Sequence, residues 1–314
     1  MTDRRLELLL ALLGAAALIA ASATTPWLKF VLTLALAKGI AVLGIMLLLR
    51  AGQVSFGHAM YVALGAYAVA FLAPALPDAA LLLPAAALAT TVAGALIGLF
   101  VSRYREIFFG MLNLALSMVF YSVLEKFYQL TRGTDGIRVQ PLTVAGLALD
   151  RGSYEWTIFG IALALALGFG VLARIYLASP MGQALAAIKT RETRLDFMGV
   201  SPRSVLLAAY VLSALMAGCA GALIAMSTRH VTPQLAYWTS SGELVFIAIL
   251  GGAGGVLGPF LGAVTYELVR VYAAATVADM WQMILGTVLL LVILFARGGI
   301  WGLISGRLQR RRMA

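Results

Sequence analysis

Charge is what this chain has least of. Only 11% of its 314 residues are Asp, Glu, Lys or Arg, against roughly 25% in ordinary soluble domains. Acid is scarcer than base, with 13 Asp and Glu against 23 Lys and Arg and a net charge of +10. Cysteine is nearly absent. Cys219 stands alone in an apolar run, so the chain has no internal disulfide and no cysteine-based zinc pattern. Histidine is limited to His58 and His230, far apart in sequence, which leaves no metal-ligand set. There is no H-E-x-x-H and no G-x-S-x-G. No glycine-rich stretch ends in the GK[ST] of a phosphate-binding P-loop, and G-x-G-x-x-G fails because Leu257 occupies its last position. These absences predict a chain that is not an enzyme, binds no ATP itself and needs no cofactor or metal. The basic residues form no stripe interleaved with aromatics, which argues against nucleic acid as a partner.

What is there is hydrocarbon. Hydrophobic residues make up 62% of the chain, and the mean hydropathy is +0.97. A soluble fold of this size has no interior large enough for so much apolar surface, whereas lipid accepts it on the outer faces of helices. Apolar runs occur at 6–24, 28–49, 53–73, 79–101, 107–129, 154–177, 203–227, 241–251, 256–276 and 280–297. A span needs roughly 20 residues, so 241–251 is too short and reads as a half-helix or re-entrant segment. The expected fold is all-α: a polytopic transmembrane helical bundle of eight to ten spans, one domain over 1–314, broken near 241–262. The first run admits two readings. Arg4 and Arg5 before Leu6–Ala20, followed by ASATTP, suit a first membrane helix or a cleaved signal peptide; the helix is favoured because the rest is itself polytopic.

Basic residues orient the map. With the N-terminus inside, fifteen Lys and Arg fall on the cytoplasmic side and six outside, leaving Lys38 and Arg270 within spans. That is the positive-inside bias, and the closing RLQRRRMA puts the C-terminus in the cytoplasm. The outer side receives much of the acid, Asp78, Glu125, Asp135, Asp150, Glu155, Glu243 and Asp279 among it. Two loops are long: an outer one at 130–153 containing TRGTDGI, and an inner one at 178–203 bracketed by Pro180 and Pro202. In the inner loop a short amphipathic helix puts Ala184, Ala187, Ile188 and Leu195 on one face. It reads equally as a helix lying at the lipid interface or as a docking helix.

Glycine concentrates in two segments, AGQVSFGHAMYVALGAY at 51–67 and SSGELVFIAILGGAGGVLGPFLGA at 240–263. Close packing through small residues is the plainer reading. GGAGGVLGP, however, does not suit a straight helix. Broken helices at membrane depth line cavities, and their ends can hold solute charges. Gln53, Ser55, Gly57, His58, Gly251, Gly252, Gly254 and Gly255 are therefore the pathway candidates. Of the ionisable residues in or near spans, Glu267 and Arg270 are three apart and can pair, whereas Lys38 is unexplained mid-span.

In order along the chain these motifs resemble the larger permease subunits of bacterial branched-chain amino acid ABC transporters, over residues 35–304. AGQVSFGHAMYVALGAY is similar to the family's early signature, and RGTDGI to its loop after the fifth span. SPMGQALAAIKTRETRLDFMGVSPR is similar to its cytoplasmic segment. GCAGALIAMSTRHVTPQLAYWTSSGELVFIAILGGAGGVLGPFLGA and WQMILGTVLLLVILFARGGIWGLI are similar to its closing blocks. Met46, Met118 and Arg297 depart from the family pattern, where Asn, Glu or Gln, and Pro are frequent. The resemblance implies an inner-membrane permease that pairs with a second permease subunit, two ATPase subunits and a soluble substrate-binding protein. It implies ATPase coupling at Gly182, Ala186, Ala187, Ile188 and Gly199. It also implies an outer loop, Gly133, Thr134, Asp135 and Gly136, facing the binding protein. The implied solute is a branched-chain or related amino acid. Urea, short amides or aromatic acids are the alternative, and an ion-coupled secondary transporter using Lys38 or Glu267 is the competing class.

Overall fold

Long apolar runs become long helices because every backbone polar group is then satisfied within its own segment. The computed structural model describes residues 2–276, 280–295 and 298–303. Asp279, Arg297 and the basic ending 304–314 lie outside the described residues, as do the side chains of Arg4 and Arg5. The chain is all-α. In order, its helices are α1 (Thr2–Thr24), α2 (Pro26–Arg50), α3 (His58–Leu72), α4 (Ala79–Val101), α5 (Glu106–Lys126), α6 (Tyr128–Thr131), α7 (Arg151–Ala178), α8 (Pro180–Arg191), α9 (Thr193–Phe197), α10 (Pro202–Thr228), α11 (Trp238–Gly251), α12 (Gly258–Thr276) and α13 (Trp281–Phe295). Two 3-10 turns, Gly133–Asp135 and Pro233–Ala236, and one antiparallel two-residue pairing, Ile137–Arg138 with His230–Val231, complete the described structure.

Among the described residues five helices, α2, α4, α5, α7 and α10, are long and apolar enough to cross a membrane by length and composition. Local chemistry sets their ends. Pro26, Pro180 and Pro202 open α2, α8 and α10, where the missing N–H costs nothing. The Asp78 and Asp150 carboxylates cap α4 and α7. Arg132 and Arg229 end their helices in the left-handed conformation.

The centre of the bundle is α2, buried along almost its whole length. α10, α12, α7 and α11 pack round it, and α10 also meets α3 and α4. The α10 contacts depend on small residues. A Cβ on Gly221 would lie 1.8 Å from the Val62 carbonyl oxygen, and one on Gly65 2.1 Å from that of Gly218. Such backbone approaches hold helices together in lipid, where apolar burial alone supplies little drive. The outward faces of α4, α5, α7 and α13 are apolar and exposed, as at Leu88, Leu96, Phe108, Ile175 and Leu294.

The sequence-predicted run 53–73 is only partly helical. Residues 51–57 are irregular and α3 begins at His58, because the turn through Gly52, at φ +74, ends α2 first. The break expected near 241–262 lies at 252–257, between α11 and α12.

The two ends of the bundle differ. At one end gather Arg50, Arg105, Arg174, Arg203 and the α8–α9 segment: Arg174 pairs with Glu7, Arg105 with Glu192, and Arg203 donates to the Leu99 carbonyl. At the other end the 73–78, 127–150 and 229–236 connections meet. The Asp78 side chain accepts from the backbone N–H groups of Ala80, Ala145 and Gly146, and Val139 N donates to the Arg229 carbonyl.

Candidate functional site

The first glycine-rich segment becomes a polar joint. Gln53 Nε2 donates to the Ala51 carbonyl, and its Oε1 accepts from Glu106 N at 2.6 Å. Ser55 Oγ lies 2.9 Å from His58 Nδ1, and His58 Nε2 lies 2.5 Å from Ser213 Oγ on α10. A Cβ on Gly57 would lie 2.7 Å from the Asn113 carbonyl oxygen, so the joint abuts α5. Asn113 Oδ1 accepts from Tyr210 OH at 2.5 Å, and the Tyr61 hydroxyl donates to that of Tyr210 at 3.0 Å. Ala59 N donates to Ser241 Oγ at 3.0 Å, and Ser117 Oγ to the Ala236 carbonyl at 2.9 Å. Gln53, Ser55, His58, Asn113, Ser117, Ser213 and Ser241 are all buried. A buried network with its members satisfied fixes geometry, and here it fixes where α3 and α11 begin relative to α5 and α10.

A second network is charged. Lys38 stands midway along α2, about 18 Å from either end at 1.5 Å per residue. Its ammonium pairs with Glu243 of α11 and Glu267 of α12. Glu267 is fully buried and also takes Arg270 Nη2 at 2.7 Å. The Lys38 ammonium lies 5.5 Å from the Tyr266 ring centroid. Two cations and two carboxylates thus neutralise one another at membrane depth, which is how such groups are tolerated there. Sequence reasoning placed Glu243 among the outer loops. The structure corrects this: α11 starts at Trp238, and the second turn of the helix brings Glu243 to Lys38. The pairing of Glu267 with Arg270 is as expected, and it leaves Glu267 a second partner in Lys38.

The second glycine-rich segment is a steric joint. Gly252 has φ +86, and a Cβ there would lie 2.1 Å from the Gly298 carbonyl oxygen. A Cβ on Gly251 would lie 2.1 Å from that of Gly258, and one on Gly255 2.4 Å from Trp301 Nε1. Gly254 has more room, with Trp301 at 3.3 Å, and its carbonyl accepts from Arg50 Nη2 at 3.3 Å. The structure therefore puts the pathway candidates at two separate joints, each closely packed.

In the loop after α6, Gly133, Thr134 and Asp135 form a 3-10 turn, and Gly136 follows at φ +69 against Val231. Thr134 and Asp135 are exposed, whereas Gly133 and Gly136 are buried. The Tyr128 hydroxyl donates to Asp135 at 2.7 Å, and this bond to a carboxylate pushes its pKa above the ordinary tyrosine value.

In the 178–203 segment, Ser179 caps α8. Gly182, Leu185, Ile188 and Leu195 face the bundle. Gly182 sits so tightly that a Cβ would lie 2.3 Å from the Tyr176 carbonyl oxygen. Ala186 and Gly199 are exposed, and Ala187 is half-buried. Beyond them Phe197 is 93% and Met198 75% exposed. Sequence reasoning singled out neither; two bulky apolar residues next to a helix-ending glycine were the available signal.

Residues 27–294 match the family described as branched-chain amino acid transport system, permease component. The chain is 30% identical over 214 residues to the high-affinity branched-chain amino acid transport system permease protein LivM of Escherichia coli (strain K12), covering 60% of this chain and 50% of that protein. It is also 30% identical over 210 residues to LivM of Salmonella typhimurium (strain LT2), covering 60% and 49%. The chain spans about half the length of these curated relatives. No solved structure matches it. With five long apolar helices among the described residues and a family match across most of its length, this multi-pass chain belongs to the branched-chain amino acid transport permease family.

Proposed function

We propose that this chain is the membrane-spanning permease subunit of an ATP-driven importer in a bacterial inner membrane. It forms one domain, pairs with a second permease, and works with two ATPase subunits and a soluble binding protein. The solute is a branched-chain or related amino acid. The observation that carries the reading is the shape of the 178–203 segment within a chain of this family. One face is fastened to the bundle through Gly182, Leu185 and Ile188, while Ala186, Phe197, Met198 and Gly199 face outward. An apolar pair this exposed at the tip of a basic segment suits protein docking, and the basic end of the bundle suits the cytoplasm. In this division of labour Gly182, Ala187 and Ile188 hold the segment, and Ala186 and Gly199 belong to the docking surface. Thr134 and Asp135, at the opposite end, suit contact with the binding protein. The two joints containing Gln53, Ser55, Gly57 and His58, and Gly251, Gly252, Gly254 and Gly255, are where the helices must part for a path to open.

An ion-coupled secondary transporter would need a carboxylate free to take the ion. Glu267 and Glu243 are neutralised by Lys38 and Arg270 instead, which favours the ATP-driven reading. The test is reconstitution with the neighbouring permease, ATPases and binding protein, followed by uptake of radiolabelled L-leucine. ATP-dependent uptake is expected. Uptake that needs no ATP and follows a sodium or proton gradient would overturn the proposal.

A further inference from the structure

The α8–α9 segment packs on α7, α10 and α2, and α5 presents an exposed apolar face through Ile107, Phe108, Met111, Val119 and Val123. A shallow surface cavity lies at the far end of that face, lined by Met118, Val119, Ser122, Val123, Lys126 and Phe127. The segment meets α5 through side chains at that helix's first residues. Arg105, the residue just before α5, grips Glu192 with two parallel bonds: Nε to Oε2 at 3.0 Å and Nη2 to Oε1 at 2.7 Å. Its remaining nitrogen, Nη1, donates to the carbonyls of Ser102 and Tyr104, at 2.6 and 2.9 Å, where α4 ends. Glu192 is the residue between α8 and α9. A forked guanidinium–carboxylate pair fixes direction as well as distance, which a single lysine contact does not.

The next residue is strained. Glu106 has φ +51, outside the range a side chain with a Cβ prefers. Its N–H is held by Gln53 Oε1 at 2.6 Å. Gly52, beside Gln53, lies against the Lys189 stem of α8, with a Cβ position 3.2 Å from Lys189 Cγ. Three connections thus meet at one point: the segment between α7 and α10, the link into α5 and the link into α3. A non-glycine residue stays in such a conformation only where its surroundings over-determine it, and here the surroundings are that junction.

We infer that the Arg105–Glu192 fork is the strut that carries movement of the 178–203 segment into α5, with Gln53 and the strained Glu106 setting its angle. These are positioning residues; none touches solute. The inference rests on the permease reading above. It names the mechanical link of that reading, which the family match does not supply.

The test uses the assembled complex in proteoliposomes, with this chain carrying C219A and a single reporter, Val119→Cys, on the α5 face. Maleimide labelling of the reporter is compared with and without ATP and vanadate, alongside ATP hydrolysis and co-purification of the ATPases. In the background chain the labelling rate is expected to change on trapping. E192Q and R105Q are expected to keep the ATPases bound and hydrolysing, yet to reduce the trapping-induced change at least about fivefold, the lower range for a lost site-to-site coupling. The exchange R105E/E192R is expected to restore part of it, the bonds to the Ser102 and Tyr104 carbonyls being lost. E192Q lies on a surface segment, so it separates transmission from misfolding. An undiminished labelling change in E192Q overturns the inference, and so does loss of ATPase binding in that variant, which would make Glu192 a docking residue. If instead the background complex binds no ATPases, the permease reading itself falls.

Discussion

The two glycine-rich joints began as similar sequence and end as different devices. At 51–57 glycine is interleaved with Gln53, Ser55 and His58, and the joint is held by hydrogen bonds to Glu106 N and Ser213. At 251–258 no polar side chain is interleaved, and the joint is held by backbone lying on backbone, Gly252 against Gly298 and Gly251 against Gly258. The first depends on keeping its hydrogen bonds, and at Gly57 on adding no atom as well. The second tolerates changes of polarity that add no atom. The half-helix after the first, α3, is secured by neutral groups at its start, whereas α11, which runs into the second, is secured by charge through Glu243 and Lys38. Lipid explains both choices: neither water nor apolar burial is available to hold a broken helix at depth.

The contrast breaks most visibly at Gly252. Gly252→Ala places a Cβ 2.1 Å from a carbonyl oxygen at a backbone angle reserved for glycine. Overpacking and backbone strain each cost about 1–3 kcal/mol, so a loss of about 3 kcal/mol or more is expected, read as lower thermal stability in detergent. Gly254→Ala, two residues on, has its nearest contact at 3.3 Å and is the control, with an expected change of less than about 1 kcal/mol. Equal losses in the two variants would remove the claim that this joint is steric.

Lys38→Met comes next. It leaves the buried Glu267 with Arg270 alone and releases Glu243, and breaking a buried pair by removing one partner costs about 3 kcal/mol. Adding Glu243→Gln to Lys38→Met is expected to recover part of that loss. A double-mutant cycle in thermal unfolding measures the recovery; strictly additive losses would mean that Lys38 does not bind α11. His58→Ala is milder. It removes two hydrogen-bond contacts and leaves Ser213 buried without its partner, for a loss of about 1–3 kcal/mol. His58→Asn, which keeps polar atoms at the site, should recover part of this. An Asn variant no better than Ala would show that shape rather than hydrogen bonding holds the first joint.

Much of this was legible in the sequence, for reasons visible in particular residues. Helix positions follow from apolar run length, and Ala79–Val101 begins and ends where its run does. The second break was legible because GGAGGVLGP holds too many glycines for a straight helix. The short-helix stretch between α7 and α10 was legible from its bracketing prolines. Partnerships between distant residues were not. Glu243 reads as a loop acid until α11 is seen turning it toward Lys38, 205 residues away in sequence. Asn113, Ser213 and Ser241 each stand in an apolar run as isolated polar letters, and only the packing of α3, α5, α10 and α11 makes them one network. The Arg105–Glu192 fork joins two residues that both read simply as cytoplasmic charge. Period and composition report what a residue's own helix needs; they carry no information about which helix lies opposite.

The smallest expected effect lies away from both joints and sharpens their comparison by exclusion. Asp78 caps α4 and clasps the 143–147 turn at the loop end of the bundle. The N–H groups of Ala80 and Gly146, with that of Ala145, hold its carboxyl below the ordinary value of 3.8. Because the folded value is the lower one, the unfolded chain takes up this proton first as pH falls. The clasp's contribution is therefore fully present at neutral pH, shrinks as pH drops through 3.8, and is gone below the folded value. Hydrogen exchange at Ala145 and Gly146 should accelerate over that window beyond the intrinsic trend, while exchange at Gly57 and Gly252 should not. Asp78→Asn should flatten the pH dependence at 145–146. Acid loosening that began instead at Gly57 or Gly252 would mean that the joints, not the Asp78 clasp, are the acid-sensitive part of the bundle.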